Sequence, residues 1–151
     1  MTQLFLDTEF NSFGGSLISM AIVGDNSAEW YEVADIPLWP NEWVAEHVIP
    51  VLGREPIGVS EFRRSLHGFL RHYDNPEIVC DWHADAEHFC ASLAGGAYGS
   101  SLDYSCRITL LSGPSDVRPE IPHNALSDAR ALRDWYLAGA KRPQMRLVHV
   151  D

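Results

Sequence analysis

Leu4-Phe5-Leu6-Asp7-Thr8-Glu9-Phe10 is an apolar run that finishes in two carboxylates. Period-two alternation places Asp7 and Glu9 on one face of a strand. Two adjacent acids on a buried strand are electrostatically poor unless a cation or a donor neutralises them. A second irregularity lies near the other end, in Pro122-His123-Asn124-Ala125-Leu126-Ser127-Asp128-Ala129, where a carboxylate interrupts an apolar helical stripe. Together the two stretches predict a divalent-metal site assembled from opposite ends of the chain.

Outward from the first run, residues 11–16 form a Gly-Ser turn and residues 17–23 read as a buried strand. The breaker cluster Gly24-Asp25-Asn26-Ser27 joins it to residues 29–33, which predicts an antiparallel three-strand meander. A proline-bounded segment with Pro37 and Pro40 leads to a short helix over 42–52, stopped by Pro50 and Gly53. Residues 59–73 have helical periodicity, with Phe62, Leu66, Phe69, Leu70 and Tyr73 on one stripe. Residues 77–82 are the next strand and 85–93 the helix after it, ended by Gly95, Gly96 and Gly99. Residues 102–106 read as a short fifth strand and 125–137 as the last helix. A meander followed by helices alternating with single strands predicts an α/β fold with a mixed five-stranded sheet. One domain over residues 1–140 and a mildly basic tail over 141–151, with Lys141, Arg142 and Arg146, account for the whole chain. The segment 99–122 is the least regular and reads as a flexible cover over the site.

A chain of 151 residues buries enough core to fold without metal or disulfide help. Its three cysteines, Cys80, Cys90 and Cys106, cannot all pair and are expected to be reduced core thiols of a cytoplasmic protein. The beginning does not resemble a signal peptide, because Asp7 and Glu9 interrupt the apolar stretch, and no apolar run has the length of a membrane span. The formal charge of −10 excludes a passive nucleic-acid coat, which needs a basic surface. It does not exclude metal-dependent chemistry on phosphates, because two divalent ions dominate the local field.

Ala125, Asp128, Ala129 and Leu132 recur at i, i+3, i+4 and i+7 and so line one helix face. The two alanines let the helix approach the sheet and deliver the Asp128 carboxylate. The helix dipole accounts for an acid near a helix start, but not for one on the apolar face. Asp7 and Glu9, taken alone, also fit a strand terminus whose acids meet solvent or an arginine. His123, held by Pro122, reads alone as a loop histidine; with an unperturbed pKa near ~6.5 it serves equally as a base near neutral pH. Trp39, Trp43, Trp82, Trp135 and Tyr136 are assigned to packing and interface. His83 and His88, spaced i, i+5, do not share a helix face and are expected to be surface histidines rather than a zinc pair.

The segments Phe5-Leu6-Asp7-Thr8-Glu9-Phe10 and His123-Asn124-Ala125-Leu126-Ser127-Asp128-Ala129 resemble the first and last motifs of DEDDh-type 3′→5′ exonucleases, a superfamily with a ribonuclease-H-like fold. The compact size and the Phe13-Gly14-Gly15 insertion resemble a small bacterial and phage exoribonuclease branch described from mycobacteria. The family requires one more acid after the fourth strand, and both Asp81 and Asp85 are candidates. Asp85, followed by Phe89 and Leu93, fits the family pattern better. The resemblance implies two Mg²⁺ or Mn²⁺ ions, with Asp7 bridging both, Glu9 and Asp128 on the ion that activates water, and Asp85 supporting the other. It implies that His123 deprotonates the attacking water, that the products are nucleoside 5′-monophosphates, and that Thr8, Glu9 and Phe10 lie beside the 3′-terminal nucleotide. Phe10 or Phe13 would stack on a base of a single-stranded RNA or DNA 3′ end, with RNA favoured by the branch. A homodimer fits the family and the surplus of tryptophans.

Two rivals differ in kind. A haloacid-dehalogenase-like phosphatase also begins with an apolar strand and an aspartate, but needs D-x-D and a lysine, where this chain has Glu9 and only Lys141. A catalytically inactive nuclease-fold module that binds nucleic acid or protein would have lost a ligand, and all five expected residue types are present. A DNA-directed exonuclease is the nearest alternative within the same chemistry.

Overall fold

Strand β1 (Gln3–Phe10) is the middle of the sheet, hydrogen-bonded on both sides. The computed structural model describes residues 1–34, 36, 38–94, 101–112 and 116–139. Among them, β2 (Leu17–Gly24) pairs antiparallel with β1, and β3 (Glu29–Val33) pairs antiparallel with β2. On the other side β4 (Glu77–Cys80) runs parallel to β1, and β5 (Arg107–Leu110) runs parallel to β4. The order β3-β2-β1-β4-β5 is that of ribonuclease-H-like folds and bears out the expected α/β class.

Alternation along β1 splits the core into two faces. Leu4 and Leu6 point toward α2 (Val59–Leu70) and α3 (His83–Ala94), where Phe62, Leu66, Leu70, Trp30 and Phe89 complete a buried cluster. Each such side chain contributes about 1.5–3 kcal/mol by leaving water. On the opposite face α4 (Ala125–Leu137) lies across β1, β2 and β3. Ala125 and Ala129 are fully buried against Ile18, Ala21 and Val23, so no bulky side chain holds the helix off the sheet. Further along, Leu132 packs with Phe5, Val79 and Leu111.

The short helix expected over 42–52 divides into α1 (Glu42–His47) and a 3-10 turn, Ile49–Val51. Pro50 fits the first turn of that tighter helix, where its missing N–H costs nothing. Helix α2 ends at Leu70, three residues before the end of the predicted stripe. The fifth strand is Arg107–Leu110, not residues 102–106. Tyr104 and Cys106 are apolar because they pack on the core ahead of the strand, while Ile108 and Leu110 stay exposed on an edge. The segment 99–122 is therefore not simply a cover: it contains β5, and Leu111 and Val117 join the cluster around Phe5. The glycines expected to end α3 and the tail over 141–151 lie outside the described residues. No helix among the described residues is long and apolar enough to cross a membrane.

None of the three cysteines is in a disulfide. Cys80 is a core thiol, which burial pushes up to about 12, but Cys90 is exposed on the outer face of α3 rather than in the core. His88 also departs from expectation. It is half-buried, its ring lies 5.0 Å from that of Phe10, and burial lowers its pKa.

Candidate metal centre

The parallel pairing of β1 and β4 ends both strands at the same edge of the sheet, where α/β proteins bind ligands. Phe5 pairs with Val79; Asp7 stands two residues further along β1, and Asp81 one residue past the end of β4, which stops at Cys80 rather than at the expected residue 82. Helix α3 begins just beyond β4 and places Asp85 in its first turn, buried. Helix α4 brings Asp128 from the other face of the sheet.

The result is two triads of carboxylates that share Asp7. Asp7, Glu9 and Asp128 offer oxygens within 4.8 Å of one another, and so do Asp7, Asp81 and Asp85. The choice between Asp81 and Asp85 is thus not exclusive, because both reach Asp7. Asp7 keeps some surface exposed, yet its Oδ2 is sealed from solvent, as are Asp85 Oδ2 and Asp128 Oδ2. None of these three oxygens has a hydrogen-bond partner. Left uncompensated, each costs about 1–3 kcal/mol. Hard divalent cations take oxygen ligands of this kind, so the residues present fit Mg²⁺ or Mn²⁺.

Crowding shows in the proton affinities. Burial, then the charges of Asp85, Asp128, Glu9 and Asp81, hold the Asp7 pKa well above the usual carboxylate range. Burial and then Asp128 and Asp85 push Glu9 up to about 8. Asp85 rises to about 7 through burial, against the opposing pull of the Thr8 hydroxyl. Asp128 also rises to about 7 through burial, while the His123 backbone pulls it down. Asp81 is raised by burial. A cation would reverse all of these shifts by favouring the ionised forms.

Each acid is set by its own local structure. The Thr8 hydroxyl and backbone N–H both donate to Asp85 Oδ1, at 2.6 and 3.0 Å. Asn124 caps α4 by accepting from the Ser127 N–H at 3.1 Å, and its own amide donates to Val51 O at 2.7 Å. Just before the cap, His123 takes a left-handed backbone with φ 65°, a conformation that costs a non-glycine residue about 1 kcal/mol or more.

The predicted substrate residues divide. Thr8 is buried and bonded to Asp85, while Phe10 is half-buried against His88. Phe13 is 79% exposed, its ring 6.2 Å from that of Trp82. The turn that presents it depends on Gly15, where a Cβ would overlap the Asn11 carbonyl oxygen. A cleft of about 310 Å³ opens beside the carboxylates, lined by Glu9, Phe10, Phe13, Trp43 and Trp82.

Trp43 and His47 were not among the predicted site residues. Their rings stack at 4.8 Å and 11°, and Trp43 meets His123 edge to face at 4.7 Å. The sequence signal was the i, i+4 spacing of Trp43 and His47 on a short helix, which puts both rings on one face. Burial and then the nearby His47 lower the His123 pKa, which favours the neutral imidazole. No family model and no curated protein matches the chain, so the fold and the carboxylate cluster are what speak to its chemistry.

Proposed function

We propose that the chain is a metal-dependent 3′→5′ exonuclease that releases nucleoside 5′-monophosphates from single-stranded or short 3′ ends, RNA in preference to DNA. The observation that carries the proposal is the pair of carboxylate triads sharing Asp7. Asp7, Glu9 and Asp128 would hold one Mg²⁺ or Mn²⁺, and Asp7 with Asp85 the other. When bound, such ions supply positive charge to activate a water nucleophile and to stabilise the departing 3′ oxygen.

The chain's own residues supply the rest. His123, kept neutral by its surroundings, accepts a proton from the attacking water on an imidazole nitrogen. Thr8 holds Asp85 in place. Phe13 and the cleft beside it offer rings for a terminal base, and Phe10 stands on the same wall. Thr8 and Glu9, near the end of β1, would lie beside that base, and two copies of the chain would work as a homodimer. A monomeric mass by light scattering excludes the dimer.

The test is a gel assay with matched 5′-labelled single-stranded RNA and DNA, in Mg²⁺, Mn²⁺ and EDTA, beside Asp7→Ala. A metal-dependent ladder that shortens from the 3′ end, absent in the variant, is expected, with RNA consumed faster. Faster loss of DNA reassigns the substrate. No cleavage of either strand rejects the nuclease, and ion binding without turnover points to a binding module.

A further inference from the structure

We propose that Asp81 is a direct metal ligand, so that this chain holds two divalent cations on five of its own carboxylates before any nucleic acid binds. The inference rests on the metal-dependent reading above and goes beyond its four-acid set.

Three observations carry it. Strand β4 runs parallel beside β1 and ends at Cys80, so Asp81 follows directly at the strand's end, on the edge of the sheet that carries Asp7. Its carboxylate lies with those of Asp7 and Asp85 inside the 4.8 Å triad. Asp85, only 2% exposed, has one oxygen committed to Thr8 and the other, Oδ2, buried with no partner. A second cation therefore finds a single free oxygen on Asp85 and shares Asp7 with the first. Small hard cations often complete such a shell with substrate phosphate. Here a third carboxylate stands at the same place, half-buried and outside the three ion pairs found among the described residues. Three acids make the second position sufficient without a phosphate.

The charge balance leads to the same expectation. Five ionised carboxylates against two divalent cations leave one negative charge, where four would leave none. The loaded centre then retains its metal between turnovers instead of acquiring the second ion with each substrate.

Titration of the metal-free full chain with MnCl₂ in a calorimeter, without nucleic acid, tests the inference. Two sites are expected in the wild type. Asp81→Asn should keep the first and weaken the second by about 100-fold or more, the upper end of what loss of an outer-shell partner costs. Asp81→Glu, which keeps the charge, should retain two sites with altered affinity, and melting curves in EDTA show that both variants fold. A single site in the wild type, or two unchanged sites in Asp81→Asn, overturns the inference and leaves the metal-dependent reading intact. No Mn²⁺ binding by the wild type overturns that reading itself.

Discussion

Thr8 and Asp85 are 77 residues apart in sequence and joined twice, with hydroxyl and backbone N–H of one both donating to the same carboxylate oxygen of the other. The pair ties the central strand to the first turn of α3. Thr8→Val keeps the shape and removes the hydroxyl donor. It should cost about 1–3 kcal/mol of stability and weaken divalent-ion binding; urea unfolding and Mn²⁺ titration measure the two effects. Unchanged stability would show that the hydroxyl bond is not formed in solution.

The metal-free protein should lose stability as pH rises. Glu9, Asp85 and Asp128 titrate at about 8, 7 and 7 in the folded chain, and Asp7 higher than the usual range. Unfolded carboxylates titrate near pH ~4. Between those limits the folded state binds more protons than the unfolded one, so the stability slope with pH is negative. Melting temperature in EDTA should fall from about pH 4 to about pH 8, and Mg²⁺ should remove most of that fall. A flat profile in EDTA contradicts the crowding of the cluster.

His123→Ala should lower kcat by about 10²–10⁴-fold, the range of a general base. In the wild type the acid limb of the pH–rate profile should lie below the pKa of a free imidazole. Burial and His47 both disfavour the imidazolium. An acid limb at or above 6.5, the ordinary histidine value, would assign that limb to another group.

Phe13→Ala should raise KM for short oligonucleotides and leave the fold intact. The ring is exposed, so stability should change by less than about 0.5 kcal/mol. Loss of one stacked base is worth about 1–3 kcal/mol, or roughly 5- to 150-fold in KM. Unchanged kinetics would reject the stacking role.

Much of the fold was legible because β1, β2 and α4 carry strong periodicity and clear breakers. The last helix begins and ends where the Ala125, Ala129 and Leu132 stripe predicts. The edge strand β5 was not legible. Ile108 and Leu110 face solvent, so local hydrophobicity says nothing of their pairing, and only the parallel ladder with β4 defines them. Asp7, Glu9 and Asp128 stand out in sequence as polar interruptions of apolar stretches, whereas Asp85 and His123 gain their expected roles only from the resemblance to the exonuclease motifs. The joint position of Asp81 and Asp85 is not legible, since each is an acceptable acid locally and only the tertiary fold, with β4 beside β1 and α3 starting just past it, brings both to Asp7. Trp43 was hidden for a different reason: tryptophan usually signals packing, and its approach to His123 depends on the turn that brings α1 against the start of α4.

The Asn124 amide has two engagements, one holding the first turn of α4 and the other the carbonyl of Val51, past the end of α1. Asp128 rides on α4, and Trp43 and His47 stand on α1, which leads directly into the 3-10 turn that holds Val51. A single side chain thus pins the aromatic wall and a carboxylate of the centre to a common joint. The width of the cleft and the reach of Asp128 are set together, inside the protein and before anything enters.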